Sequence, residues 1–542
     1  MERPDALEQP DHLKPQRFGH TPALWLVLPL IAGGCLDIWI APSPLTCLSY
    51  ATGLLILAGG LSAQRLYYFL PCLVSSTVFI SCAWHQLKIP PQTEIIFRPH
   101  YSELSIRVEQ AHPKSNGTGW SGLGIITERE DPCFRRRISL SVYGPCPVPG
   151  AELKISGHLH PLTPEVTSFD RWLRSQGATL KLTGGKNLGV MIPAPGFNQW
   201  CQQKQAYLEQ WWQTLPWIDT EGGQLLAATM LGRTALLPPP AKAAFTATGT
   251  LHLFAISGLH IAGMAAALLW VTQKLHLPKL PCGILILGGL WLYVAITGSA
   301  PSSMRAWLMT LFLWAGQQTE RATSSLQSLA LAGTVTLLLH PEAISDPGFQ
   351  LSYLAVLALI TLGTNLATSL TQPTLAQQLT ARSAPSRWQK LWQNFHQKMI
   401  QAWCLTAAAT LAGLPLSLYF FGQMSFSGLW ANLVLIPLAE VPLIFGLAST
   451  VLSPWHELLP LAQWLNGVAV IFLQGMTWLA EQFAQTPHTV WHHSLKPAWL
   501  GPVGGLSFMF ACLALANETR TRFLLGVPLL LFIVWLSTTI LL

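Results

Sequence analysis

The chain has 542 residues, of which 51% are hydrophobic and 10% are charged. Such an apolar composition excludes an ordinary soluble globular protein and indicates a polytopic α-helical membrane protein. The formal net charge of +7 is modest and lies largely in short loops, so by itself it gives little support for a polyanionic partner.

Residues 1–89 predict a polar N-terminal tail followed by three transmembrane helices, at about residues 22–41, 45–63 and 66–84. Basic residues occur in the tail, and Arg65 lies between the second and third helices. Because basic loops are retained in the cytoplasm, we expect the tail inside and the segment after residue 84 outside.

Residues 90–216 differ from both flanking segments, because charges return and apolar residues alternate with polar ones over short runs. This period-two pattern, interrupted by Gly, Pro and Asn, predicts a small extracytoplasmic antiparallel sheet or barrel. Cys133 and Cys146 flank one strand-like run, and an oxidising compartment would allow a disulfide between them. Tryptophans and glutamines between residues 197 and 217 predict an amphipathic helix at the membrane surface.

Residues 217–542 predict a second membrane block of about ten helices. Their expected bounds are 252–274, 282–297, 302–316, 325–339, 348–366, 402–421, 429–451, 465–480, 500–516 and 523–541. If the first helix begins outside, alternation puts the basic loops in the cytoplasm and the C-terminus outside. The stretch 223–247, which contains Arg233 and three consecutive prolines, is too broken for a span and is either amphipathic or re-entrant.

Two histidines and a serine interrupt the apolar run at residues 251–260. Polar groups without partners are costly in hydrocarbon, so they are expected to face other helices or a water-filled path. On one continuous helix, His252, Ser257 and His260 would all face one cavity. The alternative is that each side chain caps a backbone group between packed helices. Gly258 is predicted to be a close-packing contact.

Other polar residues of this block also resist burial in lipid. Arg305 follows a stretch broken by Gly and Pro, and an arginine at a helix centre costs about 2.5 to 3.5 kcal/mol. We therefore expect an interior, functional position for it, the alternative being that it reaches back to the membrane interface. Asp346 and Pro347 fit a helix N-cap and first turn. Gln350 and Asn432 have no such structural explanation and are candidates for the interior.

Several short motifs follow one another along the chain. They are Phe169-Asp170-Arg171-Trp172-Leu173 with Gln176-Gly177, Leu231-Gly232-Arg233, His252 through His260, Thr297-Gly298 through Arg305-Ala306, Asp346 through Ser352, Leu414-Pro415-Leu416, Phe421-Gly422-Gln423, and Ala431-Asn432-Leu433 with Pro437. In this order they resemble the ComEC competence family, whose members are inner-membrane components of natural transformation. The first motif is similar to the end of the family's extracytoplasmic OB-like domain.

The resemblance implies a bacterial inner-membrane channel, with an inserted OB-like β domain on the periplasmic side, that passes one strand of incoming DNA into the cytoplasm. Single-stranded DNA, the lipid bilayer, a periplasmic DNA receptor and a cytosolic helicase-like protein are the implied partners. The chain ends at Leu542 in a predicted helix and has no His-x-His-x-Asp-His run. A nuclease that degrades the second strand is therefore expected on a separate protein.

On this hypothesis, polar side chains of the second block line the DNA path and make weak, repeated contacts. They are His252, Ser257, His260, Arg305, Gln350, Asn432 and Arg233. Structural roles are expected for Gly258, Asp346, Pro347, Gly422 and Pro437. No catalytic residue, cofactor or metal ion is expected.

Two other functions remain open at this point. A transporter of another solute or of lipid would share the composition, but the inverted repeats typical of such proteins are not found in the sequence. An intramembrane serine hydrolase would use Ser257 as nucleophile and His260 as base. Three-residue spacing on one helix rarely gives the hydrogen bond that this reaction needs, and no oxyanion donor is identifiable.

Overall fold

The computed structural model describes most of the chain. The described residues are 21–40, 42–60, 66–88, 98–114, 118–162, 168–213, 219–319, 324–372, 387–425, 427–486, 490–492 and 500–515. They form a helical bundle with an inserted β-barrel.

Three helices precede the barrel, as predicted: α1 (Leu24–Ile40), α2 (Pro44–Gly60) and α3 (Leu66–Lys88). The Ser81 hydroxyl of α3 donates a hydrogen bond to the Leu30 carbonyl of α1 at 3.1 Å. A polar side chain on an apolar helix is thus satisfied by the backbone of its neighbour, as close packing in an apolar environment requires.

The inserted domain is a closed five-stranded barrel with strand order β1-β2-β3-β5-β4. Its elements are β1 (His100–Pro113), β2 (Gly119–Ile126), β3 (Arg137–Tyr143), β4 (Glu152–Pro161), α4 (Ser168–Ser175) and β5 (Ala178–Ile192). Strands β3 and β5 are parallel, and the other neighbouring pairs are antiparallel. Alternate apolar residues such as Ile106, Trp120 and Ile138 are fully buried in the interior, which is the physical basis of the period-two pattern.

The predicted disulfide between Cys133 and Cys146 is not formed, because both residues are free thiols. Cys133 is buried in the apolar core of the barrel, and Cys146 packs against that core. Burial raises the pKa of both thiols, which keeps them protonated. The two cysteines therefore act as small apolar side chains in this structure.

Three short helices connect the barrel to the main bundle: α5 (Gly196–Gln213), α6 (Thr220–Leu231) and α7 (Pro239–Ala247). Most residues of α6 are buried. Its 12 residues span about 18 Å, which is too short to cross a bilayer. Gly232 ends α6 in a left-handed conformation, and the prolines at residues 238–240 start α7, which buries one face only, so the broken stretch folds as two short helices.

The main bundle contains ten helices within the described residues. They are α8 (Gly258–Lys274), α9 (Lys279–Ile296), α10 (Pro301–Gln318), α11 (Ser325–Leu339), α12 (Pro347–Ala358), α13 (Thr364–Thr371), α14 (Arg387–Phe421), α15 (Gly428–Leu452), α16 (Leu459–Ala484) and α17 (Leu500–Leu515). A π-helical turn, Leu359–Gly363, joins α12 to α13. Five segments of this bundle are long and apolar enough to span a membrane, which indicates a multi-pass membrane protein.

One predicted helix start is wrong: helix α8 begins at Gly258, and the predicted start at residue 252 lies in a separate 3-10 turn, Leu251–Phe254. Helix α14 contains the predicted span 402–421 and extends it toward the N-terminus to Arg387, because the polar segment ahead of the apolar run contains no Gly or Pro to stop the helix. The predicted helix at 523–541 lies outside the described residues.

The predicted structural residues of the second block have identifiable positions. Gly422 has a left-handed backbone (φ +63°) between α14 and β6 (Gln423–Ser425), which pairs with β7 (Val490–His492). Pro437 lies inside α15 and is exposed. Asp346 is the N-cap of α12 and Pro347 its first residue, as the sequence predicted.

Candidate functional site

Ser257 and His260 form the N-terminal cap of α8. The Ser257 hydroxyl accepts a hydrogen bond from the His260 amide at 3.4 Å, and the Ser257 amide donates to the His260 ring at the same distance. His260 thus has the position that Glu or Gln holds in a standard capping box. Ser257 precedes the helix, so the two residues meet through cap geometry and not, as predicted, by sharing a helix face.

The hydrogen bonds of the His260 ring indicate its tautomer. The Ser257 amide and hydroxyl approach Nδ1 at 3.4 and 2.8 Å, so Nδ1 is the acceptor and the proton of the neutral ring is on Nε2. Nε2 is buried and has no hydrogen-bond partner among the described residues. The ring, 4% exposed, therefore directs an unused donor into the protein interior.

Arg305 lies in the second turn of α10 and is 5% exposed, so its side chain is covered by the protein. Its guanidinium carbon lies 5.8 Å from the ring centroid of Tyr353, and a Cβ at Gly258 would be 3.5 Å from one of its terminal nitrogens. Its Nε has no partner, and within the described chain no carboxylate lies at ion-pair distance from it. A buried, uncompensated cation is costly unless a ligand supplies the missing negative charge.

Three helices begin beside this arginine. The Ser302 hydroxyl in the first turn of α10 donates to the Ile256 carbonyl just ahead of α8, at 2.7 Å. A Cβ at Gly348, in the first turn of α12, would lie 3.6 Å from Pro301, the first residue of α10. Helix N-termini carry a partial positive charge, so their convergence with Arg305 makes a region suited to an anion, although Ser257 and Asp346 already accept hydrogen bonds from the first amides of α8 and α12. We call Ser257, His260, Arg305 and Tyr353 with these N-termini the Arg305 cluster.

The barrel contacts the bundle next to this cluster. Gln176, after α4, donates from its amide to Asp346 Oδ1 at 2.6 Å, and Asp346 also accepts from the Gly348 and Phe349 amides of α12. Arg137 of β3 bonds to Glu109 at 2.6 Å and lies 3.7 Å from Glu342 in the turn before α12. The position of the barrel is therefore coupled to the start of α12.

Comparison with known proteins identifies the family. A family described as "Competence protein" matches residues 229–518, which is more than half of the chain. The chain belongs to the ComEC competence family. The matched region contains the whole Arg305 cluster.

Three relatives of this ComEC family chain illustrate the range of similarity. ComE operon protein 3 of Bacillus subtilis is 30% identical over 209 residues, competence protein ComA of Neisseria gonorrhoeae 26% over 238 residues, and Recombination protein 2 of Haemophilus influenzae 29% over 271 residues. The alignments cover 39%, 39% and 48% of this chain but only 24%, 32% and 32% of the relatives. The aligned region thus spans a third or less of these relatives' length. No solved structure matches the chain.

Four of the predicted path residues of this ComEC protein lie in other surroundings. His252 is exposed on the 3-10 turn, where its Nδ1 contacts the Gly249 carbonyl at 3.1 Å, so it does not share a face of α8 with His260. The Gln350 amide donates to the Ile344 carbonyl at 2.6 Å and therefore stabilises the turn before α12. Both are local bonds to the backbone, which the alternative interpretation of the sequence allowed for His252 but which was not expected for Gln350.

Arg233 and Asn432 are the other two. Arg233 lies at the end of α6 and pairs with Glu209 and Gln205 of α5, at 3.2 and 2.8 Å. Its charge is thus compensated, unlike that of Arg305. Asn432 is half-buried on α15, and its Oδ1 is buried without a partner in the described structure. Of the predicted set, only Ser257, His260 and Arg305 belong to the Arg305 cluster.

Sequence reasoning missed two residues of this region, Tyr353 and Gln176. Tyr353 follows the motif at 346–352 by one residue and holds the cation of Arg305 over its ring, while its hydroxyl lies 3.2 Å from that of Thr336. Gln176 was noted only as part of a motif. Its contact with Asp346 joins residues 170 positions apart, a separation that no local pattern reveals. Among the described residues, no group of three or more His, Cys, Asp or Glu is arranged to hold a metal ion.

Proposed function

We propose that this ComEC family chain is an inner-membrane channel that passes single-stranded DNA into the cytoplasm during natural transformation. The barrel lies on the periplasmic side, and the helical bundle conducts the strand. Membership of the family and the multi-pass helical fold support a role in DNA uptake. The channel works without catalysis of its own.

The observation that carries this proposal is the buried, unpaired charge of Arg305 where three helices begin. A phosphodiester supplies the negative charge that the arginine lacks, and the unused Nε2 donor of His260 gives it a second contact. Neither side chain is more than 5% exposed, so the path is closed here in this conformation. Passage of a strand therefore requires the starts of α8, α10 and α12 to separate.

The barrel provides the entry surface in this proposal. Its strand order, with β1 paired to both β2 and β4 and β3 parallel to β5, supports an OB-like fold, a class that binds oligonucleotides. Exposed aromatic rings lie beside cations on it: Tyr143 is 5.7 Å from the Lys114 amine, and Phe169 is 5.9 Å from that of Lys181. Such pairs suit stacked bases and phosphates of a single strand.

The partners follow from the direction of transport. A periplasmic receptor would deliver DNA to the barrel, a cytosolic helicase-like protein would draw the strand inward, and a separate nuclease would degrade the other strand. The relatives' names refer to competence and recombination, which supports this setting.

The test is deletion of the gene in its native host, with DNA in the periplasm scored separately from DNA in the cytoplasm. We expect periplasmic DNA to be retained and internal DNA to be absent. Complementation with the Arg305→Gln variant should restore membrane insertion but not uptake. Normal internalisation in the deletion strain would refute the proposal, and loss of transport of a small solute or lipid with normal DNA uptake would favour a transporter instead.

A serine hydrolase is the second candidate, because one observation favours it. The Ser257 hydroxyl lies 2.8 Å from His260 Nδ1, which is the nucleophile-to-base distance that the spacing of the residues was expected to prevent. However, His260 Nε2 has no carboxylate to orient it, since it has no partner in the described chain. Covalent labelling of Ser257 by a fluorophosphonate would support the hydrolase, and no labelling of the folded protein would exclude this chemistry.

A further inference from the structure

Helix α14 is longer than the membrane requires. Its 35 residues extend over about 52 Å, whereas the hydrocarbon core of a bilayer is about 30 Å thick. Roughly 20 Å of helix must therefore project beyond the core. The excess lies at residues 387–399, every one of which is exposed, and we call this segment the α14 extension.

The α14 extension lies at the end of the bundle away from the barrel. Helix α14 runs antiparallel to α12 and α13, because Gly413 faces Leu351 near the start of α12 and Leu405 faces Gly363 further along. The start of α12 contacts the barrel through Gln176. Residues of α14 that precede 405 are thus progressively farther from the barrel, and the extension continues past the last turn of α13.

One side of the extension is apolar and uncovered. Trp388, Trp392 and Phe395 are 82%, 70% and 56% exposed. Together with Leu391 and Met399 they follow the three- and four-residue spacing of one helix face. The rings of Trp392 and Phe395 already contact each other, with centroids 5.8 Å apart. An exposed apolar stripe of this kind marks an interaction surface.

The charges beside this stripe have one sign. Arg387, Lys390 and Lys398 are cationic, and α14 contains no Asp or Glu along its whole length. A second copy of the chain would bring these like charges together and be repelled. A lipid surface is the other possible cover for an apolar stripe flanked by cations, and binding to anionic vesicles tests for it. Cations alternating with large aromatic rings instead match the phosphates and bases of a single-stranded nucleic acid.

We infer that the α14 extension binds the single-stranded DNA that leaves the bundle on the side away from the barrel. This inference rests on the proposed channel function and adds an exit surface to it. Bases stack on Trp388, Trp392 and Phe395, and the phosphates lie at Arg387, Lys390 and Lys398. A strand held there is retained on the exit side until the cytosolic helicase-like protein draws it inward.

The test uses the full chain in nanodiscs of neutral phosphatidylcholine, with a fluorescent oligothymidylate of about 16 nucleotides as the probe. The W388L/W392L/F395L variant keeps the apolar stripe but removes the rings, and we expect its affinity for the probe to fall at least about tenfold. The R387Q/K390Q/K398Q variant should reduce the slope of log affinity against log salt by about 2, because three phosphate contacts are lost. Ultraviolet cross-linking of a bromouracil-substituted probe should label the peptide 387–399.

The matched control is Trp478→Leu, which removes a 59% exposed tryptophan from α16 and should leave probe affinity unchanged. Three results would overturn the inference: wild-type affinity in the leucine variant, cross-links confined to the barrel, or an effect of the variants only on oligomeric state or on binding to phosphatidylglycerol vesicles. The channel proposal fails separately, if the deletion strain takes up DNA normally. If W388L/W392L/F395L binds the probe as tightly as the wild type while Arg305→Gln blocks uptake, the channel proposal is supported and the exit surface is excluded.

Discussion

The barrel and the Arg305 cluster each contain a partly or fully buried arginine. The two arginines differ in whether a neighbouring carboxylate compensates the positive charge. Arg137 in the barrel forms two hydrogen bonds with Glu109, at 2.6 and 3.1 Å, and a third with the Gln176 carbonyl at 2.7 Å. Arg305 in the bundle is more deeply buried and lies against the ring of Tyr353 and the start of α8, with no ion pair among the residues that the structure describes. The first charge is compensated within the protein, whereas the second has no compensating carboxylate among the described residues, which is the basis of the proposal that a ligand supplies one.

The difference separates residues that hold the fold from residues that are available to a substrate. Burial lowers the pKa of Arg137, but the contacts with Glu109 and Glu342 together raise it by more. The net shift of the pKa is upward, so Arg137 keeps its charge. A paired arginine stabilises the barrel, and its removal should destabilise the protein. An unpaired buried arginine costs stability, and its removal should harm function alone.

The largest expected effect is on uptake in Arg305→Gln. Loss of one charge-assisted contact to a phosphate costs about 1.5 to 3 kcal/mol, so we expect internalised DNA to fall by up to roughly hundredfold. The thermal midpoint of the purified protein should stay the same or rise, because the uncompensated buried charge is gone. Uptake is measured as DNase-resistant DNA, and stability by fluorescence-detected chromatography after heating.

Arg305→Lys is the matched control for charge. It retains the cation but loses the planar guanidinium over Tyr353, so uptake should recover in part. A variant Arg305→Gln that melts well below the wild type would mean that the arginine is structural, and the contrast with Arg137 would be wrong.

The second effect is on the stability of the barrel. Arg137→Gln leaves Glu109 without its partner, and we expect the free energy of unfolding of the barrel to fall by about 2 kcal/mol. Hydrogen exchange at the β1 and β3 amides of the full chain measures this change. The control is Lys154→Gln, which breaks a half-exposed pair with Glu103 and should cost less than about 0.5 kcal/mol. Equal protection from hydrogen exchange in Arg137→Gln and Lys154→Gln would contradict the stabilising role assigned to Arg137.

The third effect separates the role of Ser257 as the N-cap of α8 from the role of His260 Nε2 as a buried hydrogen-bond donor. Ser257→Ala removes an N-cap and should lower stability by about 1 kcal/mol while uptake stays within a few-fold of wild type. His260→Ala removes the buried Nε2 donor as well, so uptake should fall further. If the serine variant is as inactive as the histidine variant while still folded, the hydrolase hypothesis gains and the channel role of His260 fails.

The smallest effect is the pH dependence of the barrel contact. The Glu342 carboxylate, 3.6 Å from the His340 ring, raises the pKa of His340 by favouring the protonated ring. The protonated form is thus favoured in the folded state, and this contribution is present below the ordinary pKa of about 6.5 and lost as pH rises through the raised value. The protection factors of the amides in the turn before α12, corrected for the intrinsic pH dependence of exchange, should therefore be slightly lower at alkaline pH, and the effect is small because the His340 side chain is 69% exposed. His340→Gln should abolish the difference, and an unchanged profile in that variant would exclude His340 as its cause.

Local patterns in the sequence predicted the elements that local forces govern. Asp346 followed by Pro347 gave a helix start, and alternating residues gave the barrel strands. The free-energy cost of an arginine in an apolar helix predicted an interior position for Arg305, which is 5% exposed. The expectation that Ser257 and His260 share one face of a helix was wrong, because it assumed that one continuous helix contains both residues. At the N-cap the backbone of Ser257 is extended (φ −101°, ψ 169°), and its hydroxyl folds back onto His260.

By itself, the sequence determined that this chain is a multi-pass helical protein of the ComEC family with an inserted β domain, because hydrophobic period and motif order are properties of neighbouring residues. The tertiary structure decided which polar residues remain unpaired. Arg233 and Arg305 are the same residue type, yet Arg233 lies beside Glu209 whereas Arg305 has no carboxylate at ion-pair distance within the described part of the chain. Whether a buried charge is compensated depends on residues far away in the chain, and only packing brings them together or keeps them apart.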